Sequence, residues 1–98
     1  MPFPIRFSPR ASMEYDNVID YVILNFGLET AIEIEIDFDR LLNQISYNPK
    51  MYPLYDDQKD IRRCVISKQT SLYYRISGKF IELVSFRGNL MNPNNASL

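Results

Sequence analysis

The hydrophobic positions of this chain change period twice: they alternate at the start, recur every three to four residues through the middle, and alternate again in the last third. Between Pro2 and Ser8, Phe3, Ile5 and Phe7 alternate with other positions and predict a short strand. Ser8-Pro9 then offers a helix N-cap followed by proline at the first helical position. Ala11, Tyr15, Val18, Ile19, Val22 and Phe26 make one apolar helical face, and Gly27 is placed to end it.

The segment from Glu29 to Ile45 fits two templates. Ile32, Ile34, Ile36 and Phe38 alternate with acids, as in a strand. Ala31, Ile34, Phe38, Leu41, Leu42 and Ile45 instead share one helical stripe about 100° wide. Thr30 with Glu33 three residues later also reads as a capping box, so a helix is expected. That helix leaves Ile32 and Ile36 off the main stripe. The simpler expectation packs them on the first helix in an αα-hairpin; the other leaves them exposed for a partner.

Tyr47 to Lys59, with Pro49 and Pro53, is expected to be loop, and three strands follow. Ser77-Gly78 reads as a two-residue hairpin turn, pairing Ile76 with Lys79, Tyr74 with Ile81 and Leu72 with Leu83. That register turns Leu72, Tyr74, Ile76, Ile81 and Leu83 toward the helices. It turns Tyr73, Arg75, Phe80, Glu82, Val84 and Phe86 to an open face, half polar and facing solvent or a partner. The expected order is β-α-α-β-β-β, an α+β fold with a helical hairpin on a mostly antiparallel sheet, in one domain over residues 1–98.

Composition narrows the function. The net charge is −1, so nucleic-acid contact has to rest on a local basic patch. The chain has no histidine, which excludes a Ser-His-Asp triad and histidine-ligated zinc. One cysteine, Cys64, allows no internal disulfide; it reads as a small buried hydrophobe, and a cytoplasmic location is expected. The longest apolar run is Tyr21 to Leu24, against the roughly 20 residues needed to span a bilayer. The first residues lack the apolar core of a signal peptide. The acids Glu29, Glu33, Glu35, Asp37 and Asp39 match no calcium loop and read as a solvated helix surface able to face a basic partner; no metal or cofactor is expected.

Among candidate site residues, Arg62 and Arg63 point to opposite faces of their strand, so at most one belongs to the open face. Arg75 shares that face with Tyr73 and Phe80, in reach of bases, phosphate or carboxylate, but Glu82 offers it a plain cross-strand pair. Arg87, at the end of the last strand beside Gly88-Asn89, is the strongest single candidate, and Lys68 is a weaker member of the same basic rim. Tyr74 belongs to the core face.

Several of these stretches, in order, resemble the ParE-type members of the RelE/ParE toxins of bacterial toxin–antitoxin pairs. They are F-S-P-R-A…Y…I-D-Y-V…F-G, then Asn48-Pro-x-x-Tyr52-Pro53, the block R-R-C-V-I-S-K-Q-T-S-L-Y-Y-R-I, and the close Asn92-Pro93, covering residues 5 to 93. The resemblance implies a small α/β sandwich with its functional surface on the open sheet face. It also implies a heteromeric complex with a cognate antitoxin, and a growth-inhibiting role in plasmid stabilisation. RelE-like members cut mRNA on the ribosome with basic side chains and a C-terminal tyrosine; ParE-like members inhibit DNA gyrase. This chain has Ser71 where many nucleolytic members have arginine, and its tail N-P-N-N-A-S-L lacks tyrosine. It also has Leu90 where arginine commonly precedes the closing Asn-Pro, with Arg87 a few residues upstream to supply the charge.

The implied function is therefore a ParE-like gyrase inhibitor, with a ribosome-dependent endoribonuclease or an inert toxin-shaped binding domain as alternatives. Target contacts fall to Arg87, Arg75, Tyr73 and Arg63, and antitoxin contacts to Ile32, Ile36, Phe80 and Phe86. For a nuclease, Arg87, Arg75 and Lys68 would stabilise the charge that develops on phosphorus.

Overall fold

The computed structural model describes residues 2–67 and 70–88. Strand β1 (Ile5–Phe7) leads into helices α1 (Pro9–Phe26) and α2 (Leu28–Tyr47). Four strands follow: β2 (Leu54–Asp56), β3 (Ile61–Ser67), β4 (Thr70–Ser77) and β5 (Phe80–Gly88). They form one mixed sheet in the order β1-β5-β4-β3-β2, with β1 parallel to β5 and every other pair antiparallel. The α+β class and the helical reading of α2 are both met.

Ser8 caps α1 as expected, its hydroxyl accepting the Ala11 N–H at 3.0 Å, with proline next in line. Gly27 joins the helices with φ +94° and ψ 164°, a conformation open to glycine. Its N–H is shared by the carbonyls of Val22 and Ile23 at 3.1 Å, and its carbonyl accepts from Ala31 at 3.3 Å. α2 thus begins at Leu28, ahead of the Thr30–Glu33 capping box. Thr30 lies inside the helix, where its hydroxyl donates to Phe26 O at 3.1 Å, an acceptor left over at the end of α1.

The helices cover one sheet face. Ala11, Val18 and Val22 of α1 and Ala31, Phe38, Leu41 and Ile45 of α2 pack against Cys64, Leu72, Tyr74, Ile81, Leu83 and Phe86. At the centre the rings of Tyr15 and Phe38 stack at 4.9 Å, and Phe86 meets each edge-on at 5.0 Å. The α2 stripe is as expected, but Phe26 is half exposed at the tip of the hairpin. Ile32 and Ile36 are 48% and 51% exposed, so they do not pack on α1; the alternative of an open patch is what the fold adopts.

Three details of the sheet correct the expectation. The segment expected to be loop contains β2, whose Leu54 and Asp56 pair with Arg62 and Ile61. The β4–β5 turn is Gly78-Lys79, not Ser77-Gly78: Ser77 pairs with Phe80, Ile76 with Ile81 and Tyr74 with Leu83. This slip of two residues leaves the faces unchanged, since side chains alternate with period two.

The third detail does change the faces. Tyr74 pairs with Leu83 but Tyr73 pairs with Ser85, so Val84 is an extra residue in β5, a β-bulge. Phe86, expected on the open face, is instead 1% exposed in the core. Among the described residues, no helix is long and apolar enough to cross a membrane.

Candidate functional site

Alternation along β3 separates its two arginines. Arg62 pairs with Tyr74 and Arg63 with Tyr73, so they take opposite faces of the sheet. Arg62 Nη1 donates to the carbonyls of Tyr52 at 2.6 Å and Lys50 at 3.5 Å. The hydroxyl of buried Tyr74 donates to Pro49 O at 2.8 Å. Together they fasten the Asn48–Pro53 segment across the helix side of the sheet, so Arg62 is an anchor and Arg63 belongs to the open face.

On that open face, Tyr73 forms the floor and the ring of Tyr55 meets it edge-on at 5.0 Å. The Arg63 guanidinium carbon lies 5.8 Å from the Tyr55 ring centre, and that of Arg87 lies 5.8 Å from the Tyr73 ring centre. Among the described residues, Arg63 Nε is buried without a hydrogen-bond partner. Two guanidinium groups beside two phenol rings make a surface that stacks on flat groups and attracts anions. The chain's small net charge conceals this local basic patch.

The hairpin end of the same face is spoken for. Arg75 Nε donates to Glu82 Oε1 at 2.7 Å, the plain cross-strand pair, and the Arg6 guanidinium stacks 4.3 Å above the Phe80 ring. Of the expected target residues, Arg63, Tyr73 and Arg87 therefore come together, while Arg75 is ion-paired elsewhere. Of the expected antitoxin residues, Ile32 and Ile36 are exposed on α2 and Phe80 lies partly covered by Arg6. Phe86 is withdrawn into the core by the bulge and offers no surface. Lys68, Leu90 and Asn92-Pro93 lie outside the described residues.

Three residues of this region escaped the sequence reading. Tyr55 sits on a three-residue strand after Pro53, too short for alternation to register. Ser85 and Glu14 become partners through the bulge: the Ser85 hydroxyl donates to Glu14 Oε1 at 2.7 Å, and Arg87 Nε donates to Ser85 Oγ at 3.3 Å. No local pattern in the sequence marks Glu14.

Cys64 does not belong to this site. It is buried on the helix side, and burial pushes its thiol up, away from the reactive thiolate. The neighbouring Tyr52 phenol is pushed up to about 12 by its hydrogen bond with Cys64 and by burial. A cavity of about 240 Å³ beside them is lined by Asp37, Arg40, Gln44, Tyr52 and Cys64 among others. Among the described residues, no group of histidine, cysteine or carboxylate side chains forms a metal site.

No protein-family model matches the chain, and no curated protein matches its sequence. Its fold does have solved counterparts. A chain of the chromosomal ParDE toxin–antitoxin system from P. aeruginosa superimposes with a TM-score of 0.73 at 15% identity, over 88% of this chain and 95% of that one. The YoeB dimer from Staphylococcus aureus gives 0.64 at 19% identity, over 89% and 97%. The E. coli DinJ–YafQ toxin–antitoxin complex gives 0.59 at 12% identity, over 91% and 94%. The chain thus has the RelE/ParE toxin fold.

Proposed function

We propose that this chain is the toxin of a type II toxin–antitoxin pair, ParE-like in action, held inactive by a cognate antitoxin and inhibiting DNA gyrase when released. The observation that carries this reading is the likeness to the P. aeruginosa ParDE chain over nearly the whole of both chains. The chemistry of the open face supports it. Arg63, Tyr55, Tyr73 and Arg87 are equipped to bind, but arginine does not give up its proton and the chain has no histidine to move one. Inhibition by binding needs neither.

The antitoxin would cover the apolar side chains that the fold leaves on the helical hairpin, Leu24, Leu28, Ile32 and Ile36, where the acids of α2 would meet basic residues of the partner. The complex would operate in the bacterial cytoplasm, where a lone free cysteine is ordinary.

A second reading, a ribosome-dependent endoribonuclease, is favoured by the same patch. Paired tyrosine rings flanked by arginines suit a stacked base and its phosphate. The test is purified chain titrated against gyrase supercoiling, and in parallel against mRNA on translating ribosomes. The first reading expects supercoiling to fail and to recover on adding the antitoxin, with mRNA intact. Intact supercoiling with cut mRNA transfers the case to the second, and no effect in either assay leaves a toxin-shaped binding domain.

A further inference from the structure

Strict alternation along β5 would place Arg87 on the same side as Ile81 and Leu83, both fully buried under the helices. One extra residue, Val84, prevents this, so whatever holds the bulge also decides where Arg87 points. Among the described residues, the strand that borders β5 on this side, β1, ends at Phe7, and its pairing stops at Leu83. From there the N-terminal turns of α1 take over the edge of β5. The Ser8 N–H donates to Leu83 O and the Ser8 hydroxyl to Val84 O, both at 3.0 Å. Glu14 Oε1 accepts the Ser85 hydroxyl at 2.7 Å and the Phe86 N–H at 3.4 Å.

Glu14 is 16% exposed in its side chain, and Arg10 Nε, at 3.4 Å, balances its charge. A mostly buried carboxylate that accepts from a hydroxyl and an amide and is ion-paired with a guanidinium is a built arrangement. The direction of the Ser85 hydroxyl follows from it. Its one proton goes to the carboxylate, which leaves its lone pairs free to accept from Arg87 Nε at 3.3 Å.

We propose that Glu14 is a positioning residue: through the bulge at Val84 and the hydroxyl of Ser85 it fixes Arg87 on the open face beside Tyr73. The proposal rests on the reading of Arg87 as a target-binding residue, but the geometry it asserts exists without any target. α1 thereby does two things, covering the core with one face and aiming a functional side chain with its first turns.

Two arms test it on the full chain. The first needs no target: NMR of the Arg87 Nε–H and the Tyr73 ring in wild type, Glu14→Gln, Ser85→Ala and Ser85→Thr, with the Phe86 ring as a check on the core. Glu14→Gln and Ser85→Ala are expected to shift and broaden the Arg87 and Tyr73 signals, while Ser85→Thr, which keeps the hydroxyl, preserves them. Unmoved Arg87 and Tyr73 signals in both Glu14→Gln and Ser85→Ala overturn the proposal. So does a Phe86 ring displaced as far as they are, since that marks loss of packing.

The second arm reads growth arrest. Glu14→Gln is expected to weaken it roughly tenfold, the scale of one lost charge-assisted hydrogen bond. Joined to Ser85→Ala it should add nothing further, because both changes break the same link to Arg87; an additive double variant overturns the proposal. If wild type arrests nothing, the toxin reading fails, and the positioning of Arg87 stands or falls on the NMR arm alone.

Discussion

Arg62 and Arg63 are neighbours in the chain, yet one guanidinium is tied to the Tyr52 carbonyl and the other lies beside the Tyr55 ring. Period-two alternation separated them in advance, and it singled out one arginine for the open face. Replacing them should give opposite results. Arg62→Ala is expected to cost about 1.5–3 kcal/mol of stability, the range for hydrogen bonds from a charged donor, while the protein that does fold stays fully toxic. Arg63→Ala should leave stability within about 0.5 kcal/mol and, under the proposed function, abolish growth arrest. Thermal unfolding and growth arrest, measured on both variants, check the pair. Arg75 teaches the complementary lesson, since its ion pair with Glu82 was visible in the sequence as the plainer reading and is the one the fold adopts.

At the scale of elements, legibility followed length. Both helices could be read because fifteen or more residues repeat one period, enough to outvote the strand-like run of isoleucines in α2. β2 could not, because three residues after a proline carry no period. The bulge in β5 could not either, for a physical reason: nothing about Val84 itself calls for it. It arises where β1 ends and α1 begins to cover the edge of β5, a meeting of residues some seventy positions apart. That is why Phe86 was expected outside and lies in the core, and why the face of Arg87 was out of reach of local pattern. Phe86→Ala should therefore behave as a core deletion, losing about 3–5 kcal/mol in denaturant unfolding. At the helix junction, a Cβ on Gly27 would meet nothing within 4 Å among the described residues, so Gly27→Ala should cost only backbone strain, about 1–3 kcal/mol.

For the whole molecule, three phenols set an alkaline limit. Tyr15 is pushed up to about 12 by burial and by the nearby acids Glu35, Asp39 and Asp16. Tyr74 is raised to about 12 by burial against the opposing charge of Arg62, and Tyr52 to about 12 by its bond with Cys64. A phenol near 10 in the unfolded chain and higher in the fold keeps its proton in the native state. Its contribution is complete below pH 10 and is lost as pH rises from about 10 to 12. Unfolding temperature should fall through that window as the phenolate absorbance of these three rings rises. A fold that melts well below pH 10 with the phenols still protonated would contradict this.

At the scale of the whole molecule, the proposed function makes Arg63, Tyr55, Tyr73 and Arg87 a growth-inhibiting patch directed at DNA topology and not at message. Pulse-labelling of DNA and protein synthesis in a bacterium, in the first minutes after this chain is induced without an antitoxin, tests it most directly, with Arg87→Ala as the comparison. DNA synthesis is expected to fall first in the wild type, and neither synthesis is expected to fall in Arg87→Ala. Protein synthesis falling first, or equal arrest by Arg87→Ala, would contradict it.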